Sequence, residues 1–137
     1  MVQPEGIRRR LQKLDESTSY LERAQAYSFD EFRDDIEVYS AVERNLQLAI
    51  ESLIDMAGHV VADENLGAFE RARDLPDLFE EHALIGAEER ETWKDMISFR
   101  KVLVHEYAEI DRRRVYDVLQ HHLRDIRHLA HVFDRFL

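Results

Sequence analysis

The sequence predicts an all-α fold, an up-and-down bundle of four main helices plus one short extra helix. Three observations predict it. Four glycines and two prolines are all that punctuate 137 residues, runs of alternating β-branched residues are absent, and apolar side chains recur at three- and four-residue steps. Hydrophobic residues make up 45% of the chain, enough for one domain over residues 1–137 to bury a core without metal or disulfide staples.

Taken in order, Pro4 suits the first turn of a helix carrying Ile7, Leu11, Leu14 and Leu21 and running to about Ala26. Ser28 and Glu31 have the spacing of a capping box, in which the hydroxyl and the carboxylate each accept a free backbone N–H. The helix they open is the longest, with Ile36, Tyr39, Val42, Leu46, Ala49, Ile50, Leu53, Ala57 and Val60 on its apolar face down to about Ala62. Asn65 and Gly67 break it. A polar loop leads to Leu75-Pro76 and a short helical piece with Leu78 and Phe79 that ends near Gly86. A fourth helix begins near Ala87 with Trp93, Met96, Ile97, Leu103 and Val104 facing inward. Asp111 is the expected N-cap of a last helix holding Val115, Leu119, Leu123, Ile126, Ala130, Phe133 and Leu137.

Composition narrows the function. Without cysteine there is no thiol chemistry and no thiolate zinc site. The N-terminus lacks a signal-like apolar stretch, and no run approaches the roughly 18 apolar residues of a membrane span, so the expectation is a cytoplasmic protein with no membrane partner. Net charge is −10, but unevenly spread. Residues 1–99 hold 11 basic and 23 acidic side chains, whereas residues 100–137 hold 8 basic and 6 acidic ones with five of the seven histidines. An anionic ligand is therefore expected at the C-terminal end.

That end contains Arg100, Lys101, Val102, Leu103, Val104, His105, Glu106 and Tyr107. Arg100 supplies a permanently charged planar fork for phosphate oxygens. His105 is suited to take and return a proton near neutral pH. Together they have the parts for RNA cleavage with no metal and no cofactor. Five residues of helix turn through roughly 500°, which leaves Arg100 and His105 about 140° apart. The two can meet only if the helix ends or distorts near Val104, or if a second copy of the chain completes the site.

The segment from Met96 to Tyr107 resembles the signature of the HEPN superfamily, specifically HepT-like toxins. The stretch from Tyr39 to Asp55 resembles that family's long second helix, Ile110-Asp111 with Val115-Tyr116 resembles the start of its last one, and the likeness runs from about Ile7 to Leu129. The resemblance implies a homodimeric helical bundle whose two subunits face a shared cleft, and a metal-independent ribonuclease activity carried by Arg100 and His105. It also implies a partner, a minimal nucleotidyltransferase antitoxin that adenylylates the tyrosine after the histidine, here Tyr107. Bulk and negative charge on Tyr107 would repel a phosphate-bearing substrate. In place of the asparagine or other short polar residue usual after the arginine stands Lys101, which cannot accept a hydrogen bond but adds a candidate phosphate contact. The alternative is a non-catalytic substrate-binding subunit of a nucleotidyltransferase.

Three other groups bear on a site. Glu43 lies in line with Ile36 and Ile50 on the long helix, where it pairs with Arg100, pairs with another arginine, or sits at the helix edge. His121, Asp125 and His128 fall on one face of a continuous last helix, opposite its apolar stripe, and read as solvated rather than metal-binding. Arg112, Arg113 and Arg114 oppose the dipole at the start of that helix unless an anion, RNA or a partner's acidic surface, binds them.

Overall fold

A computed structural model describes residues 2–104 and 108–137, with the side chains of 104 and 108–111 left aside. Among the described residues the fold is all-helical: α1 (Pro4–Ala24), α2 (Phe29–Asp34), α3 (Ile36–Asp63), α4 (Leu75–Glu81), α5 (Ala87–Val104), α6 (Ala108–His121) and α7 (Leu123–Val132), with 3-10 turns at Ala72–Asp74 and Phe133–Phe136. The bundle is the expected one, with two long helices divided.

The first division is at Asp35. Ser28 and Glu31 do form the reciprocal capping box, but the helix they start lasts six residues. Asp35 then takes extended backbone and its carboxylate accepts the N–H groups of Glu37 and Val38, a second cap that opens α3. The second division is at His122, so the single last helix expected from the sequence is α6, α7 and a terminal turn. The Asp111 cap is also corrected: α6 begins at Ala108, placing Asp111 inside its first turns. Ala and Glu are strong helix formers and carry the helix past that position.

α3 is the axis of the core. Val42, Leu46, Ala49, Ile50, Leu53, Met56, Ala57 and Val60 are fully buried on it, and α1 packs along it through Ile7, Leu14 and Leu21. Two aromatic groups close the ends. Trp93 of α5 meets Phe79 of α4 and Phe133 edge to face, and those two meet each other at a tilt, with centroids 5.2 to 6.3 Å apart. Phe32, Tyr39 and Tyr116 form the other group, and the Tyr116 hydroxyl donates to the Tyr27 carbonyl at 2.7 Å.

Local chemistry also ends α3 and α4. Asn65 adopts φ 55° and Leu66 N–H bonds back to Val61 O at 3.0 Å, which is the Schellman closure. Ala83 with φ 56° does the same after α4, with Leu84 N–H on Phe79 O at 2.9 Å. Gly67 at φ 138° then turns the chain where an added Cβ would lie 2.9 Å from a Leu78 methyl. From there it runs to the 3-10 turn, whose Asp74 carboxylate accepts the N–H groups of Glu70 and Arg71 at 3.1 and 3.0 Å. These bonds hold the Asp74 carboxyl below its ordinary range.

Candidate active site

α5 is fixed against α4 by two ion pairs one turn apart, Arg90 with Glu80 at 3.0 Å and Lys94 with Asp77 at 3.1 Å. Its next turns bury Met96, Ile97, Phe99 and Leu103, which rotates Arg100 and Lys101 outward. Phe99 belongs to this apolar face although the sequence reading omitted it. The Arg100 side chain remains about a third exposed (34%). Its Nε donates to the Ile97 carbonyl at 3.2 Å, and its Nη1 stands 3.7 Å from Oε1 of Glu51.

Arg100 opens into a cleft of about 520 Å³ between α3, the 3-10 turn and α5. Gln47 and Glu51 form its α3 wall, Arg71 and Arg73 the wall from the 3-10 turn, and Ser98, Arg100 and Lys101 the α5 wall. Four cations thus face one carboxylate in a protein of net charge −10. Such a cleft attracts phosphate and is lined with three guanidinium forks and one ammonium suited to phosphate oxygens.

Of the residues expected at the site, Arg100 and Lys101 share this cleft. His105 and Tyr107, with Glu106 between them, lie outside the described residues. α5 is described through Val104 and α6 from Ala108, the two in contact, and the expected break or second subunit that would bring His105 to Arg100 falls outside the described residues. Glu43 is half-buried on α3, and among the described residues no ion pair joins it to Arg100. Glu51, two turns further along, occupies that position instead. The sequence singled out Glu43 alone, because the register of α3 against α5, which decides which carboxylate stands opposite, is not carried by the helix wheel.

Arg71 and Arg73 were missed because they belong to the acidic part of the chain. Their signal was local: two arginines two apart, followed by Asp74 as the acceptor of the turn's amides.

The other candidates resolve into structural roles. Arg112 donates to the Arg33 carbonyl at 2.6 Å and lies 4.3 Å above the Tyr39 ring. Arg113 lies 4.5 Å above Phe29 and 3.9 Å from Asp117. Arg114 lines a smaller cleft of about 280 Å³ together with Asp95, His122 and Asp125, over an apolar floor that includes Met96 and Phe99. The shared face of His121, Asp125 and His128 is lost at the break after α6. Asp125 pairs with His122 at 3.0 Å and His128 with Glu89 at 2.7 Å.

Known proteins resemble this chain in sequence and in fold. The mRNA nuclease HepT of Shewanella oneidensis is 34% identical over 95 residues, covering 69% of this chain and 71% of that protein. The structure of the tri-AMPylated Shewanella oneidensis HEPN toxin in complex with MNT antitoxin superposes with a TM-score of 0.85 at 26% identity, over 95% of this chain and 97% of that one. YutE of Bacillus subtilis, a cytosolic protein of unknown function, shares the fold with a TM-score of 0.83 at 17% identity, over 99% of this chain and 91% of that one. Residues 10–132 match the family described as Ribonuclease HepT-like, and the chain belongs to that family.

Proposed function

We propose that this protein is a metal-independent endoribonuclease toxin, acting in the cytoplasm as a homodimer and neutralised by a nucleotidyltransferase antitoxin. The observation that carries the reading is the seat of Arg100 in a basic cleft of a HepT-like chain. In the reaction, His105 takes the proton of a ribose 2′-hydroxyl, whose oxygen attacks the adjacent phosphorus. The 5′-oxygen leaves with a proton returned by imidazole, and a 2′,3′-cyclic phosphate remains. Arg100 offsets the charge that accumulates on the phosphate oxygens, with Lys101 as a further phosphate contact. The antitoxin transfers a nucleotidyl group from a nucleoside triphosphate to the Tyr107 hydroxyl, with release of pyrophosphate, and so places negative charge at the site.

The test is cleavage of RNA by purified protein in excess chelator. Wild type is expected to leave cyclic phosphate ends, and Arg100→Ala and His105→Ala each to lose about 10²-fold or more. Wild type that cuts no faster than the variants overturns the enzyme reading and favours the non-catalytic subunit. Tyr107→Phe is expected to keep cleavage and escape the antitoxin.

A further inference from the structure

We infer that Arg71 and Arg73 form a second arm of the cleft that grips the phosphates of a single RNA strand beside the one held at Arg100. The inference rests on the ribonuclease reading for the identity of the reaction, but its own evidence is separate. The two arginines reach the cleft from a different part of the chain than Arg100 and Lys101, and all four line it together.

Both side chains are exposed, and among the described residues neither stands in an ion pair within 4 Å, whereas Arg8, Arg10, Arg33, Arg90 and Arg127 each do. Asp74, the carboxylate whose titration responds to Arg71, is already engaged by two backbone N–H groups of the turn. The turn is thereby held in shape, and it packs directly on α5 and α4. The backbone of the arm is consequently held against the helix that carries Arg100, so on binding a strand orders the two side chains and not the turn.

A phosphate backbone fits this surface better than a protein does. The lining offers Ile97, which is only 3% exposed, and Ala72 as its apolar members. It therefore lacks the accessible aromatic or aliphatic anchor on which protein interfaces depend. What it offers is charge, with Gln47 and Ser98 as neutral hydrogen-bonding groups. Contacts of this kind read the backbone and not the bases, so the arm strengthens binding evenly across sequences.

The experiment measures binding by fluorescence anisotropy of a fluorescein-labelled single-stranded RNA of mixed sequence to the full chain carrying His105→Ala. A salt series is run with and without Arg71→Gln/Arg73→Gln. Each lost phosphate contact reduces the slope of log K against log salt by about 0.7 on a single strand, so the double substitution should reduce it by roughly 1.4 and weaken binding on the order of tenfold at about 0.1 M salt. Arg71→Lys/Arg73→Lys should restore most of the slope, which a merely structural role would not require. In the cleaving protein the Gln pair should raise KM with kcat unchanged. An unaltered slope and affinity overturn the inference, as does loss of antitoxin capture with RNA binding intact. Absence of cleavage by wild type overturns the ribonuclease reading instead, while the slope still decides the fate of the arm.

Discussion

Replacing Glu51 by Gln removes the carboxylate that faces Arg100 and leaves the shape of the cleft nearly unchanged. Arg100 Nη1 and Glu51 Oε1 are 3.7 Å apart, with side chains 34% and 51% exposed. That separation is too long for a directional hydrogen bond. An isolated pair at about 4 Å attracts by about 1 kcal/mol in water and about 4 at an effective dielectric of 20. Half-exposed pairs retain a net of about 0.2–1 kcal/mol once ordering and hydration are included. Stability should therefore fall by less than about 1 kcal/mol. RNA binding should instead improve, because Arg100 no longer has a competing anion and the cleft gains one positive charge. The same interaction energy converts to a rise in affinity of up to about fivefold. The gain should fade toward 1 M salt, where the screening length drops to about 3 Å. Steady-state cleavage kinetics at low and high salt, with anisotropy binding on the same variant, measure both effects. Gln47→Glu, which adds a carboxylate to the same wall, should do the reverse. A tenfold fall in kcat at constant KM in Glu51→Gln would refute the reasoning and show that the carboxylate orients the guanidinium.

Other perturbations test the scaffold. Phe133→Ala empties a fully buried position between Phe79 and Trp93 and should cost about 3–5 kcal/mol, seen as a lower midpoint in urea. Ala83→Gly relieves a left-handed alanine after α4 and should stabilise by about 0.5–1 kcal/mol in the same assay. Gly67→Ala combines a positive φ with the close Leu78 methyl and should destabilise by about 1–3 kcal/mol. The Asp74 carboxyl, held down by the Arg71 and Glu70 amides, should titrate below the about 3.9 of an unfolded aspartate in carboxyl NMR. Its support is then fully present above that ordinary value and is lost as pH falls through the lower folded one. Asp74→Asn should shrink this part of the acid destabilisation.

The helical class and the core were legible because burial leaves a periodic imprint: the α3 stripe from Val42 to Val60 is visible in the sequence and fully buried in the fold. The breaks were harder to see. Asp35 lies inside a pattern that continues across it, and only its carboxylate's choice of the Glu37 and Val38 amides divides α2 from α3. At His122 the apolar stripe also continues, so periodicity carried no sign of the bend. For the cleft, chemistry marked Arg100 and Lys101, whereas Glu51, Arg71 and Arg73 join them only through contacts between α3, the 3-10 turn and α5. Charge averaged along the chain pointed away from residues 71–73. Folding reverses that average locally by bringing two scattered basic dipeptide-scale signals to one surface.

The clamp between α4 and α5 has a consequence for how such a protein diversifies. Arg90 with Glu80 and Lys94 with Asp77 set the position of α4 on α5, and the chain between Asp63 and Ala72 only has to span the distance to that anchored point. Its exposed side chains can be exchanged or recharged without touching the helix that carries Arg100, provided Gly67 keeps its turn. On the proposed reading, grip on the substrate and the chemistry performed on it are thus carried by different stretches of the chain, joined by the packing of the turn on α5.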